Sequence, residues 1–211
     1  MKKILIALGF TMAAMSTQAA TLSLVVDDPA VVFTTVAGTG QTTGAHDVIT
    51  GALGGVAGTL FVDSNAIFRA TFLGSEAGDI NFYVANGTPV VGSGTFGPGK
   101  VNYLDVFEFA VTAGAVNFGF KDSDTGISAS NIGDHFQKIA FIANDGSYID
   151  AATGNPYEFL IGFNDSGSED GDYDDYVIGV SAVPVPAALP LMASALGAFG
   201  IARRRNKAKA A

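Results

Sequence analysis

The chain has 211 residues, contains no cysteine and carries a formal net charge of −9. Without cysteine it has no disulfides, thiol nucleophiles or thiolate metal sites. All twenty acidic residues lie between residues 27 and 175, with only four basic ones, so this stretch has a formal charge of 4 − 20, or −16. Such a surface repels nucleic acid, which excludes a nucleic-acid-binding protein.

Residues 1–19 have the three parts of a secretory signal peptide: a basic start, an apolar run over 4–15 and small residues before a cut. Thr17 and Ala19 suit the shallow peptidase pockets at the third-last and last positions. We therefore predict cleavage after Ala19, with cleavage after Ala20 as the alternative. The apolar run is shorter than the roughly 20 residues that span a bilayer, which favours removal over a permanent anchor.

Residues 20–182 have the composition of a single exported all-β domain. Short runs of β-branched and aromatic residues are separated by glycine-rich turns, and no stretch has the period of a capped amphipathic helix. The runs predict strands over 22–26, 31–36, 60–62, 67–73, 80–85, 103–111, 116–121, 136–143, 157–163 and 176–180. The dipeptide Asn86-Gly87 predicts a hairpin turn. We expect an antiparallel β-sandwich with a jelly-roll-like arrangement.

An acidic segment over 162–176 separates the last two predicted strands. Its carboxylates repel one another, and a hard divalent cation such as Ca²⁺, which takes six to eight oxygen ligands, would relieve this. The predicted ligands are Asn164, Asp165, Asp170, Asp172, Asp174 and Asp175. The spacing is not that of an EF-hand, because neither Asp165 nor Asp170 has a glutamate at the twelfth position. The alternative is a solvated acidic loop whose aspartates cap turns.

The stretch 183–202 carries no charge, and Arg203, Arg204 and Arg205 follow it. An apolar segment of this length can cross a bilayer, and the basic cluster should stay in the cytoplasm. Proline is excluded from helix interiors, so we expect the transmembrane helix to begin near Leu189. Residues 183–188 would then be extended and accessible at the outer face of the membrane.

The order of proline motif, apolar helix and arginine cluster resembles the PEP-CTERM sorting signals of Gram-negative bacteria, in the Val-Pro-Leu-Pro-Ala variant. The motif stands here as Val183, Pro184, Val185, Pro186 and Ala187, with Val185 in place of leucine. The resemblance implies recognition by an exosortase, an integral-membrane cysteine transpeptidase that cuts at or near the motif. A permanent membrane anchor is the alternative. The run 172–178 is similar to a segment that precedes such signals.

Together these features predict a non-enzymatic protein that is exported through the inner membrane, anchored transiently, and then found at the cell surface or in the extracellular matrix. Calcium is the one expected cofactor and the exosortase the expected partner. A carbohydrate-binding or adhesive module for exopolysaccharide or biofilm is the first alternative. A hydrolase is the second, although no Gly-x-Ser-x-Gly elbow occurs. A glycan array would separate the first two interpretations.

Overall fold

The structure is a computed structural model. It describes residues 19–27, 31–32, 54–75, 80–92, 104–123, 125–133, 138–144, 146–165, 173, 175–185, 195–197 and 199. The chain divides into two compact units, one of which is Ala20–Pro184. The other comprises Met1–Ala19 and Val185–Ala211.

The unit Ala20–Pro184 is mostly β-structure, in agreement with the all-β prediction. In chain order the strands are β1 (Leu22–Val26), β2 (Val31–Val32), β3 (Gly54–Val56), β4 (Gly58–Val62), β5 (Ala66–Gly74), β6 (Asn81–Ala85), β7 (Thr88–Gly92), β8 (Val106–Val111), β9 (Gly114–Ala115), β10 (Phe118–Asp122), β11 (Ser128–Ser130), β12 (Ile139–Ala143), β13 (Phe159–Phe163) and β14 (Tyr176–Pro184).

The strands form three antiparallel sheets. The largest has the order β2-β3-β12-β13-β14-β5-β8, and the two smaller ones have the orders β11-β10-β6-β7 and β1-β4-β9. The longest ladder joins β14 to β5 and runs from Val177, opposite Gly74, to Pro184, opposite Ala66. Since β13 also pairs with β14, the segment between β13 and β14 lies at the Tyr176 end of this ladder.

Apolar side chains from all three sheets meet in one core. Its centre is aromatic: the ring of Phe118 stacks on Phe68 at 5.7 Å, and Phe120 stacks on Phe163 at 5.2 Å between ring centroids. These pairs join the large sheet to the four-stranded one. A second, smaller cluster of buried apolar side chains includes Tyr157 and Tyr173. With no disulfide in the chain, this packing supplies the stability of the unit.

The smallest sheet is joined to the rest by a buried side-chain amide. Asn131 accepts a hydrogen bond from the Leu60 amide at 2.8 Å and donates to the carbonyl oxygens of Leu60 and Val116 at 3.0 and 2.7 Å. One side chain thus satisfies three buried backbone groups, as a buried polar residue must.

The predicted hairpin is confirmed at Asn86 and Gly87. Both residues have positive φ, 49° and 75°, which is the backbone of a type I′ turn, and they join β6 to β7. Glycine adopts such angles without steric cost, and asparagine tolerates them better than most residues.

Little of the segment after Val185 is described. Residues 195–197 and 199 are helical and exposed. Within the described part of the chain, no helix is long and apolar enough to cross a membrane. The predicted transmembrane helix therefore lies mostly outside the described residues.

Candidate functional site

The predicted calcium ligands fall between β13 and β14. Asn164 and Asp165 directly follow β13, and Asp175 directly precedes β14. The structure thus brings the two ends of the acidic segment together. Asp170, Asp172 and Asp174 lie outside the described residues.

Asn164 is held by the sheet. Its side chain is fully buried, and its backbone amide donates to the carbonyl oxygen of Lys138 at 2.9 Å. This bond extends the pairing of β12 and β13 by one residue. Asn164 therefore fixes where the acidic segment leaves the sheet.

Asp165 and Asp175 are joined by one direct hydrogen bond, and Asn81 and Ser75 bind to them. The backbone amide of Asp165 donates to Oδ2 of Asp175 at 2.8 Å, and Nδ2 of Asn81 donates to Oδ2 of Asp165 at 2.7 Å. The hydroxyl of Ser75 donates to the carbonyl oxygen of Asp175 at 2.5 Å. We call these four residues, Ser75, Asn81, Asp165 and Asp175, the acidic neck, because they close the base of the acidic segment.

The sequence analysis did not select Asn81 or Ser75. Asn81 is the first residue of β6 and has the same parity as the buried Tyr83, but the sequence analysis gave it no role beyond its place in a predicted strand. The partner Asp165 lies 84 positions later. No local pattern reports a contact over that distance.

The side chains of the acidic neck are two carboxylates, one hydroxyl and one carboxamide. Oxygen atoms of such groups are the ligands that Ca²⁺ prefers. The described residues contain no group of three or more histidine, cysteine or acidic side chains placed to hold a metal ion. Asp165 and Asp175 supply two carboxylates at the neck. The other three predicted carboxylates would have to complete the ligand set from the segment between them.

Two buried tyrosines of the main core, Tyr83 and Tyr176, follow the neck residues Asn81 and Asp175 closely along the chain. Burial raises the pKa of the Tyr83 phenol well above its ordinary value, and the neighbouring Tyr176 adds to this. Burial likewise raises the pKa of Tyr176, with a further contribution from the charge of Asp105. Both phenols therefore stay neutral and act as parts of the packed interior.

The predicted sorting motif begins inside the sheet. β14 does not end at Val180, as predicted, but continues to Pro184, with Val183 opposite Ile67 and Pro184 opposite Ala66. Both residues are extended, as expected, and Pro184 is exposed, but β5 pairs with both of them. Val185 follows the strand and is half-buried, while Pro186, Ala187 and the three arginines lie outside the described residues.

The predicted signal-peptide cut also lies at an edge of the packed unit. Ala19 is exposed, whereas Ala20 is 5 % exposed and belongs to the main core. Thr21 donates to both carboxylate oxygens of Asp63, from its amide at 3.1 Å and from its hydroxyl at 2.7 Å.

No family model, no curated protein and no solved structure matches this chain.

Proposed function

We propose that this chain is an exported protein of the Gram-negative envelope, whose β-domain over residues 20–182 is displayed at the cell surface and released by an exosortase. The observation that carries the proposal is where the compact unit begins and ends. It runs from Ala20 to Pro184, so its first residue follows the predicted signal-peptide cut and its last lies within the predicted sorting motif. The burial of Ala20 favours cleavage after Ala19, since removal of Ala20 would take a residue from the core.

The finer architecture belongs to the same proposal. Aromatic residues of the seven-stranded sheet pack against those of the four-stranded sheet, which supports a β-sandwich. Neighbours such as β5-β14 and β3-β12 are distant in sequence, and such long connections support a jelly-roll-like chain path.

The acidic segment and the sorting motif lie at opposite ends of β14. The strand has eight steps from Tyr176 to Pro184, which at about 3.3 Å per residue separates its ends by about 26 Å. In the proposed membrane-anchored form, the Pro184 end is tethered to the membrane. The acidic neck lies at the Tyr176 end of the strand, away from the tethered residue, and cations from the medium would reach it there.

Calcium is the proposed ligand of the acidic neck. An ion that binds only the folded state stabilises it by RT ln(1 + c/Kd), where c is the free ion concentration, so Ca²⁺ should raise the melting temperature and EDTA should lower it. Asp165→Asn should abolish the difference, because it removes a carboxylate from the acidic neck. Asp63→Asn also removes one carboxylate, but outside the acidic neck, so the difference in melting temperature between Ca²⁺ and EDTA should remain. Equal melting temperatures of the wild type in Ca²⁺ and EDTA would reject calcium binding.

The export proposal is tested by expressing the full chain in a Gram-negative host with an exosortase and in the same host without it. Intact mass should show a surface or medium fraction that lacks residues 1–19 and the arginine cluster, and only when the exosortase is present. A surface protein that keeps Arg203–Arg205 in both hosts would show a permanent anchor instead.

A groove on the four-stranded sheet favours carbohydrate binding as a second candidate. Its volume is about 410 Å³, and its lining among the described residues includes Val84, Pro89, Lys121, Ser128 and Ser130 but no acidic residue. In a domain of charge −16, this is a place where an acidic sugar would meet hydroxyls and a lysine and no carboxylate of the described lining. A glycan array of uronic-acid oligosaccharides tests it, and Lys121→Ala should remove any binding that the groove provides.

A further inference from the structure

Glu158 connects the two ends of the domain through one carboxylate. Its Oε2 accepts a hydrogen bond from the Leu22 amide at 2.7 Å, and its Oε1 accepts one from the Ala182 amide at 2.8 Å. The backbone amide of Glu158 donates to the Val180 carbonyl oxygen at 2.9 Å. Hydrogen bonds to a carboxylate are stronger than those between neutral groups. Glu158 therefore ties β1, which follows the signal peptide, to the last part of β14.

Beyond this tie, β14 still pairs with β5 for two residues. Val183 is opposite Ile67, and Pro184 is opposite Ala66, which is fully buried. Pro184 has no amide hydrogen and so cannot continue a ladder as a donor, which explains why the strand ends there. The first two residues of the sorting motif thus belong to the folded sheet.

Cleavage by a cysteine transpeptidase needs a free peptide carbonyl. The enzyme thiolate attacks the carbonyl carbon, the C–N bond breaks, and the new amine leaves with a proton. Water or an acceptor amine then attacks the thioester carbonyl carbon, the C–S bond breaks, and the acyl group passes to the attacking oxygen or nitrogen. The proton that this atom loses replaces the one taken up by the leaving amine, and the cysteine leaves as its thiolate. A strand held on β5 offers such a carbonyl only when it opens locally, and the open population falls with the stability of the pairing.

We propose that the exosortase cuts on the C-terminal side of Pro184, and that Glu158 is the positioning residue that sets this limit by holding the end of β14. This inference rests on the proposed function. It predicts that the mature protein keeps Val183 and Pro184 as the end of its last strand. A cut further upstream would remove residues that pair with β5 at Ile67 and Ala66.

Intact mass of the released protein, from the full chain in the exosortase-containing host, tests the limit. Every wild-type product should end at Pro184 or later. With Glu158→Ala the end of β14 loses its tie, and products that end before Pro184 should appear. Glu108→Ala is the matched control. It breaks the 2.7 Å ion pair with Arg69 in the same sheet but does not touch the Leu22 or Ala182 amides, so its products should end like those of the wild type.

The possible results distinguish failure of this inference from failure of the proposed function on which it rests. A wild-type product that ends before Pro184 overturns the limit and leaves exosortase processing intact. A shift equal in Glu158→Ala and Glu108→Ala overturns the role of Glu158. A chain that is never processed overturns the proposed function together with its cut.

Brief digestion of the full chain with proteinase K tests, without an exosortase, whether cleavage is limited to positions after Pro184. The first cut near this end should fall after Pro184 in the wild type and in Glu108→Ala, and move upstream in Glu158→Ala. A wild-type cut between Val180 and Pro184 would contradict the proposed hold on β14.

Discussion

Gly162 and Tyr173 are in such close contact that a Cβ atom at position 162 would collide with the carbonyl oxygen of Tyr173. Gly162 is the fourth of the five residues of β13, and Tyr173 lies in the acidic segment. Backbone cannot yield as a flexible side chain can. The missing side chain of Gly162 is therefore what allows the backbone of Tyr173 to lie against the sheet.

Gly162→Ala should destabilise the domain by about 1–3 kcal/mol, the usual cost of an added methyl group in a packed site. Thermal unfolding measures this as a lower melting temperature. A melting temperature equal to that of the wild type would show that Tyr173 does not pack on β13.

Asn81→Asp should weaken the acidic neck. The substitution keeps the shape of the side chain but replaces the amide that donates to Asp165 at 2.7 Å with a second carboxylate. A lost hydrogen bond to a charged group costs about 1.5–3 kcal/mol, and the repulsion adds to it. We expect a lower free energy of unfolding at pH 7 in urea denaturation.

The loss should depend on pH. Two carboxylates at this distance raise the pKa of one of them above its unfolded value, so stability is lost as pH rises and recovered on acidification toward about pH 4. The exposed Asn117→Asp makes the same change of charge outside the neck and should leave stability unchanged. A penalty for Asn81→Asp that is independent of pH would rule out repulsion by Asp165.

Thr21→Val should raise the pKa of Asp63. The side-chain hydroxyl of Thr21 is the largest cause of a pKa below the ordinary 3.8 at this carboxyl, followed by the Thr21 amide and the Ser64 hydroxyl. A depressed pKa contributes stability that is present above the unfolded value and lost as pH falls through the folded one. NMR titration of the Asp63 carboxyl measures the change directly.

Ser64→Ala is the comparison for this prediction. It removes a weaker donor to the same carboxylate, a hydroxyl at 3.0 Å, so the pKa of Asp63 should rise less than in Thr21→Val. The reverse order would show that the residue after Ala20 does not dock on Asp63 in solution.

Alternation is what made the strands of the domain predictable. In β5 the buried Phe68, Ala70 and Phe72 share one parity, and this pattern is visible without any partner. β3 consists of Gly-Gly-Val and has no such signal; it forms because β12 and β2 flank it. The short strands β9 and β11 were missed for the same reason, since their pairing and not their composition makes them strands.

The candidate site was predictable only where it is local. The acidic run pointed to Asp165 and Asp175, and the structure joins them. Glu158 lies between Tyr157 and Phe159 and reads as an ordinary outward residue of a strand. Its contact with Leu22 spans 136 positions and is created by the fold. Contacts of this kind, between residues far apart in the sequence, can be found only from coordinates.

Tyr83→Phe should leave the domain as stable or make it more stable, by about 1 kcal/mol. The phenol oxygen is fully buried and makes no hydrogen bond within the described residues, and a buried hydroxyl without a partner costs free energy. The ring contributes through its neighbours, with centroid distances of 5.9 Å to Phe120 and 6.4 Å to Phe118. Phenylalanine keeps these contacts.

Comparison with Tyr83→Leu separates the contribution of the ring from that of the hydroxyl, because leucine lacks both groups. Tyr83→Leu should lower the free energy of unfolding by about 1–3 kcal/mol. The wild type should also lose stability above about pH 10, because a raised phenol pKa favours the unfolded, ionised tyrosine there, and Tyr83→Phe should lose less. Urea denaturation at pH 7 and pH 10.5 measures both effects. A loss in Tyr83→Phe as large as in Tyr83→Leu would mean that the hydroxyl has a partner on which the core depends.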